Sequence, residues 1–308
     1  MKKFFPIGIA TLFAVLFAGY GIWALWDSAR EDGRDEKQLK VAATFSPLYD
    51  IAKNVAGEYA NVELLVPPGA SPHFYEFSPR QLANLQGTKA IFAIGYGADD
   101  WVTKAKEAIP GSEITLVDQG IALLSSLEEH GEEGEARDHG PIDPHYWLSF
   151  ENARIIADTI ARKLGELDSE HEADYRENAR VYGQELSLAE HEIKEQLSTL
   201  ESRNIITLHD AFYYFAQNFD LHIVGTFEPR AGEEPTPQFL ARLREEIQTN
   251  NIKVLFAEPQ MNSESLRQFA KDNNLALSLL DEAGGVEGRD SYIGLMRYNG
   301  NAISQALK

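Results

Sequence analysis

The sequence predicts an α/β fold of two open, mostly parallel-sheet lobes joined by a long rigid helix. Two blocks, residues 40–117 and 204–280, alternate short apolar runs with amphipathic stretches, the order a parallel sheet covered by helices requires. Between them, residues 169–200 contain few helix breakers, and their apolar positions recur mainly every three or four residues, as one buried helical stripe does. At 308 residues the chain is long enough for about two domains of roughly 130 residues, each with its own core.

In the first block, residues 40–45 read as a strand, 47–56 as an amphipathic helix and 62–66 as a second strand. A helix over 79–86 leads to strands at 90–95 and 113–117. Beyond Phe150, apolar residues Ile155, Ile156, Ile160 and Leu164 mark another helix. The stretch 169–200, about 45 Å long as a helix, carries Ala173, Tyr175, Ala179, Tyr182, Leu186, Leu188 and Ile193 on its apolar positions. The second block gives strands at 204–208, 221–227, 252–257 and 275–280, with helices at 210–218, 237–249 and 263–273 between them. The resulting division is a basic flank 1–3, an apolar segment 4–26, a tether 27–39, an N-terminal lobe 40–168, a linking helix 169–202 and a C-terminal lobe 203–308.

Composition narrows the function. A formal charge of −20 argues against nucleic acid, whose binding needs clustered Lys and Arg against phosphate. The chain has no Cys, which excludes thiolate catalysis, iron–sulfur clusters and disulfides. No dinucleotide fingerprint, phosphate-binding loop or serine-hydrolase elbow occurs.

Residues 4–26 form an uncharged, mostly apolar run, long enough to cross a bilayer of about 30 Å hydrocarbon thickness. Trp23 and Trp26 stand near its outer end, where an interfacial aromatic belt is expected. No good small-x-small cleavage site follows, so an uncleaved transmembrane anchor is expected, with a cleaved signal as the alternative. Either places the body outside the cytoplasm, at the cell surface or in a periplasm.

Open α/β sheets hold ligands beyond the carboxyl ends of their strands. His73 lies in the loop after the second strand, His209 directly after residues 204–208, and Asp281 directly after residues 275–280. His145 precedes the Phe150 helix. Each lobe thus supplies two candidates, as a metal in the interlobe cleft requires. Three imidazoles and one carboxylate favour Zn²⁺ over Mg²⁺ or Ca²⁺. Each residue also has an ordinary explanation: His73 as a turn residue, His145 at a helix start, His209 as a satisfied structural histidine, Asp281 as an N-cap. Glu282, beside Asp281, offers a competing carboxylate.

The segments Ser71-Pro-His-Phe-Tyr-Glu-Phe-Ser-Pro79, Asp143-Pro-His-Tyr-Trp-Leu148, Thr207-Leu-His-Asp-Ala-Phe-Tyr-Tyr-Phe215, Glu234-Pro-Thr-Pro237, Ala257-Glu-Pro-Gln260 and Leu280-Asp281 occur together in one order. From about residue 40 to the C-terminus the chain resembles the zinc/manganese substrate-binding proteins of bacterial ABC importers, the cluster A-I type. The resemblance implies a metal held between two lobes by His73, His145, His209 and Asp281. It also implies delivery of that metal to a permease driven by a separate cytoplasmic ATPase, by a protein expected to act as a monomer. Manganese members usually carry Glu at the third ligand position and zinc members His, so His209 points to Zn²⁺ as cargo, with Mn²⁺ as the alternative. Such members are usually lipoproteins in Gram-positive bacteria, and this chain has no Cys to lipidate.

Residues 127–143 contain seven acidic residues, three Gly, and the histidines His130 and His139. A solvated acidic insertion is the plain reading. Zinc members of the resembled family often carry a longer His-rich loop here, which makes His130 and His139 candidate auxiliary metal residues. Two other functions compete with transport. A zinc hydrolase would need an open coordination position and a base such as Glu76, Glu228, Glu234 or Glu258, but no short hydrolase metal motif is present. A metal-dependent surface adhesin would keep the scaffold without the transport.

Overall fold

The computed structural model describes residues 38–76, 78–126, 142–229 and 232–308. The chain divides into two compact units, 1–39 and 40–308; the apolar segment 4–26 and the insertion histidines lie outside the described residues. Among the described residues no helix is long and apolar enough to cross a membrane.

The first lobe is built on strands β1 (Leu39–Ala43), β2 (Ala60–Leu64), β3 (Ala90–Ala93) and β4 (Glu113–Leu116), in the order β2-β1-β3-β4. Helices α1 (Ser46–Ala56), α2 (Pro79–Asn84) and α3 (Val102–Ala108) connect them. β3 pairs in parallel with both β1 and β4, Val41 facing Ala90 and Ala90 facing Glu113. All four β3 residues are buried, as expected of a strand covered on both faces. Ala42, Leu65, Ile91, Ala93, Val102 and Ala105 form the core beneath one face.

Two antiparallel helices follow, α4 (Phe150–Leu167) and α5 (Glu172–Leu197). α5 buries Tyr175, Ala179, Tyr182, Leu186, Ala189, Ile193 and Leu197, a single stripe along about 39 Å. It starts three residues later than the sequence predicts because Asp168 stops the chain with a turn. Its carboxylate bonds the His171 ring at 2.8 Å and accepts from the Tyr175 hydroxyl at 2.9 Å.

The second lobe repeats the arrangement of the first. β5 (Asn204–Thr207), β6 (His222–Thr226), β7 (Val254–Ala257) and β8 (Ala276–Leu279) lie in the order β6-β5-β7-β8, with β5–β6, β5–β7 and β7–β8 parallel. Helices α6 (Tyr213–Phe219), α7 (Pro237–Thr249) and α8 (Glu264–Asp272) cross between strands, over a core that includes Ile206, Leu208, Phe227, Leu243, Leu255 and Phe269. The last helix, α9 (Tyr292–Ala306), packs on α1 and α5. In each sheet the chain turns back beside its first strand, between β1 and β3 and between β5 and β7, which is where open α/β sheets leave a crevice.

Candidate metal centre

Four side chains converge at the carboxyl ends of the two sheets: His73, His145, His209 and Glu282, with one donor atom from each lying within 4.8 Å of all the others. His73 follows β2 in a short 3₁₀ turn, Pro72–Phe74, started by the Ser71 hydroxyl accepting from the His73 N–H at 3.3 Å. His145 opens the turn Tyr146–Leu148 that leads into α4. His209 follows β5, and Glu282 lies on the loop after β8. The lobes' loops meet closely behind them: the Gly69 N–H donates to the Gly284 carbonyl at 3.1 Å. A Cβ on Gly285, which has φ +79°, would stand 2.2 Å from the Ser46 hydroxyl oxygen, so only glycine permits this approach.

The Nε2 atoms of His73 and His145 are 3.3 Å apart. Glu282 Oε2 lies 3.8 Å from Nε2 of His73, 3.4 Å from that of His145 and 3.7 Å from that of His209. Around a tetrahedral zinc ion with bonds of about 2.0–2.1 Å, donors stand roughly 3.3–3.4 Å apart, so one ion fits with small adjustments. His145, His209 and Glu282 are fully buried. His209 Nε2 and both Glu282 oxygens are buried without a hydrogen-bond partner, a costly state for polar atoms that a cation would relieve.

Carboxylates behind two of the rings fix their orientation. Asp143 Oδ1 accepts from the His145 main-chain N–H at 2.9 Å and pairs with its Nδ1 at 2.8 Å. Glu258, just past β7, pairs with His209 Nδ1 at 2.6 Å. A carboxylate on Nδ1 turns Nε2 inward and makes it a better donor. Burial alone would lower both imidazole pKa values, but Asp143 and Glu282 reverse this at His145 and raise it. At His209, Glu258 and Glu282 overcome burial and push the ring up to about 10. Burial would raise Glu282, yet the three imidazoles hold it well below the usual carboxylate range. Burial keeps Glu258 raised. The cluster therefore sets a negative carboxylate among imidazoles, of which His145 and His209 have raised proton affinity, a charge arrangement that a divalent cation can replace.

Asp281, expected from the sequence as the fourth ligand, is not in this group; its neighbour Glu282 is. The Asp281 carboxylate is occupied in holding its own loop. Oδ1 accepts from Gln260 Nε2 at 2.6 Å and from the Ala283 and Gly284 N–H groups at 2.9 Å each. Oδ2 pairs with Arg289 at 3.0 Å. Asn299 brackets its main chain, accepting from the Asp281 N–H and donating to its carbonyl. Of the carboxylates that a hydrolase could use as base, Glu258 holds His209, Glu228 accepts from the Gly232 N–H at 2.7 Å, Glu234 accepts from Ser265, and Glu76 is exposed. The roles of Asp143 and Glu258 were not assigned from the sequence. The only signal was a carboxylate two residues before His145 and another directly after a strand.

Residues 41–306 match the profile of the family "Zinc-uptake complex component A periplasmic". The chain belongs to that family. Among curated relatives, the metal ABC transporter substrate-binding lipoprotein ScbA of Streptococcus cristatus is 31% identical, over 96% of this chain and 97% of its own. The manganese ABC transporter substrate-binding lipoprotein scaA of Streptococcus gordonii is 30% identical, over 96% and 97%. The crystal structure of ZnuA superposes with a TM-score of 0.77 at 28% identity, covering 88% of this chain and all of that one. FpvC of Pseudomonas aeruginosa, in complex with Mn²⁺, gives 0.76 at 25% identity, covering 88% and 99%. Members are metal-binding components of ABC importers that work outside the cytoplasm and are not enzymes. Membership implies a permease and an ATPase as partners. ScbA and scaA are lipoproteins, whereas this sequence contains no Cys.

Proposed function

We propose that the protein captures one divalent transition-metal ion through His73, His145, His209 and Glu282 and hands it to a membrane permease powered by a separate ATPase. The observation that carries this reading is the convergence of three imidazole nitrogens on one buried carboxylate oxygen. Imidazole nitrogens joined to a single carboxylate suit Zn²⁺, and the affinity order of first-row metals places Zn²⁺ well above Mn²⁺ for such donors. Zinc is accordingly the cargo the donor set supports.

Manganese is the second reading, and the relatives support it better than the donors do. The Streptococcus gordonii relative is named for manganese, and FpvC binds Mn²⁺. A site that binds Zn²⁺ more tightly in a tube can still carry Mn²⁺ where zinc is scarce, because selection in the cell follows metal availability as well as affinity.

Calorimetric titration of the chelator-stripped protein with Zn²⁺ and Mn²⁺, paired with uptake of each radioactive metal by cells lacking the protein, tests both readings. Expected are one tight site, stronger for Zn²⁺, and loss of zinc uptake. Loss of manganese uptake alone assigns the cargo to manganese. Binding of neither metal overturns the transport reading.

A further inference from the structure

Tyr214 lies on α6, only a short turn beyond His209, yet its hydroxyl ends on the other lobe. It accepts from the Leu124 N–H at 2.7 Å and donates to the Asp143 carbonyl at 3.2 Å. Those two residues are themselves joined, the Asp143 N–H donating to the Leu124 carbonyl at 3.0 Å. Their neighbours Ser125 and Ile142 form an antiparallel bridge. Asp143 in turn grips His145 through both the main chain and the ring. A continuous path of hydrogen bonds therefore runs from the helix that follows one imidazole to the carboxylate that orients another.

We infer that Tyr214 is a positioning residue for metal capture: by pinning the Asp143 main chain, it sets the orientation of His145 relative to His209. The inference rests on the proposed metal-binding role of the cluster. Three features single out the hydroxyl. Tyr214 is 3% exposed, so a phenyl ring would fill nearly the same space and its loss would remove little apolar burial. Both hydroxyl partners are main-chain groups of the residues flanking the Ser125–Ile142 bridge, and a hydroxyl is the shortest group there that both donates and accepts. The other anchor of α6 to this segment, Asn218 Oδ1 accepting from the Phe150 N–H at 2.9 Å, lies beyond the imidazole and does not touch Asp143.

Partners that orient a metal ligand typically cost about 10–100-fold in metal affinity when removed. Tyr214 acts one step further out, so Tyr214→Phe is expected to speed zinc dissociation about tenfold with one site retained. The ¹⁵N signals of the His145 ring should move in the metal-free protein, because the ring is no longer held in one orientation against Asp143. The ligand-field spectrum of the Co²⁺-loaded protein should change in intensity. Asn218→Ala should lower the melting temperature without altering zinc dissociation. With Asp143→Asn already present, Tyr214→Phe should add little, as expected of two residues on one path.

Wild-type zinc dissociation together with unmoved His145 ring signals in Tyr214→Phe would overturn the inference. So would an equal acceleration in Asn218→Ala, which would reduce Tyr214 to general packing of α6. A wild-type protein that binds no zinc refutes the metal-binding role itself; the His145 ring signals of the metal-free variants then still decide whether Tyr214 orients the ring.

Discussion

The indole N–H of Trp147 donates to the main-chain carbonyl of Glu282 at 2.9 Å. Trp147 belongs to the segment that carries His145, and its ring sits 5.2 Å from the His145 ring. Two donors of the cluster that arrive from different lobes are thus tied together by one fully buried side chain. Tyr292 secures the other side of that segment, its hydroxyl donating to the Trp147 and Ser149 carbonyls at 2.8 and 3.2 Å.

Trp147→Phe should therefore cost both stability and affinity. The orphaned Glu282 carbonyl alone is worth about 1–3 kcal/mol, and the smaller ring leaves a cavity besides. Urea denaturation of the metal-free protein measures the first effect, and competition with a chromogenic chelator should show zinc held about tenfold less tightly. Unchanged affinity would mean that Glu282 is placed by its own loop alone.

The two adjacent carboxylates separate cleanly by mutation. Glu282→Gln and His209→Ala should each weaken zinc binding by about a hundredfold or more while the protein stays folded, the first replacing an anionic oxygen with a weak neutral amide and the second removing a nitrogen donor from a preformed scaffold. Asp281→Asn should lower the melting temperature, because it discharges the partner of Arg289, yet keep one zinc site with affinity reduced by about tenfold or less. A collapse of binding in Asp281→Asn, with little change in Glu282→Gln, would restore the assignment first read from the sequence.

Zinc affinity should keep rising with pH beyond neutrality. The ordinary imidazole value is about 6.5, but His209 is pushed up to about 10 and His145 is also raised. A raised imidazole favours the metal-free fold fully below about pH 6.5, and that contribution fades as the pH climbs through the folded-state value. Bound zinc must expel the proton, so each pH unit below about 10 costs up to tenfold in affinity per proton displaced. Titrations from pH 5.5 to 9 with proton release measured in two buffers check this. An affinity already level above pH 6.5 would show that His209 carries no proton to displace.

Removing residues 128–139 should leave one tight site. None of the four converging side chains is lost, and the β-bridge between Ser125 and Ile142 lies outside the deletion. Capture at low ionic strength should slow, since an acidic segment raises the local cation concentration. Stopped-flow mixing with a zinc indicator reads the rate. Loss of the tight site would bring His130 or His139 into the primary cluster.

His73 and His209 were legible because strands of an open α/β sheet all deliver their following loops to one end, so a residue's place after a strand already predicts which side of the molecule it reaches; His145 follows no strand and stood out only through the segment Asp143-Pro-His-Tyr-Trp-Leu148. The choice between Asp281 and Glu282 was not legible. It depends on Arg289, Gln260 and Asn299, which meet Asp281 only after folding. Helix α9 was missed for a related reason. Gly294, Asn299 and Gly300 weaken its intrinsic helical preference, and packing supplies what they lack: a Cβ on Gly300 would stand 2.7 Å from Ile193 of α5. The start of α5 was misplaced because a side chain, Asp168, ends the preceding turn within an otherwise periodic pattern.

α5 packs against α1 and α4 of the first lobe and against α9 of the second. Its buried stripe therefore belongs to both cores at once, and neither lobe can lose its structure without stripping apolar cover from the other. Heating should melt the body as a single cooperative unit, with calorimetric and van't Hoff enthalpies in agreement, despite its two separate sheets. An ion bound at one end of the cleft would then protect the whole length of the body against unfolding, including surfaces far from any ligand atom.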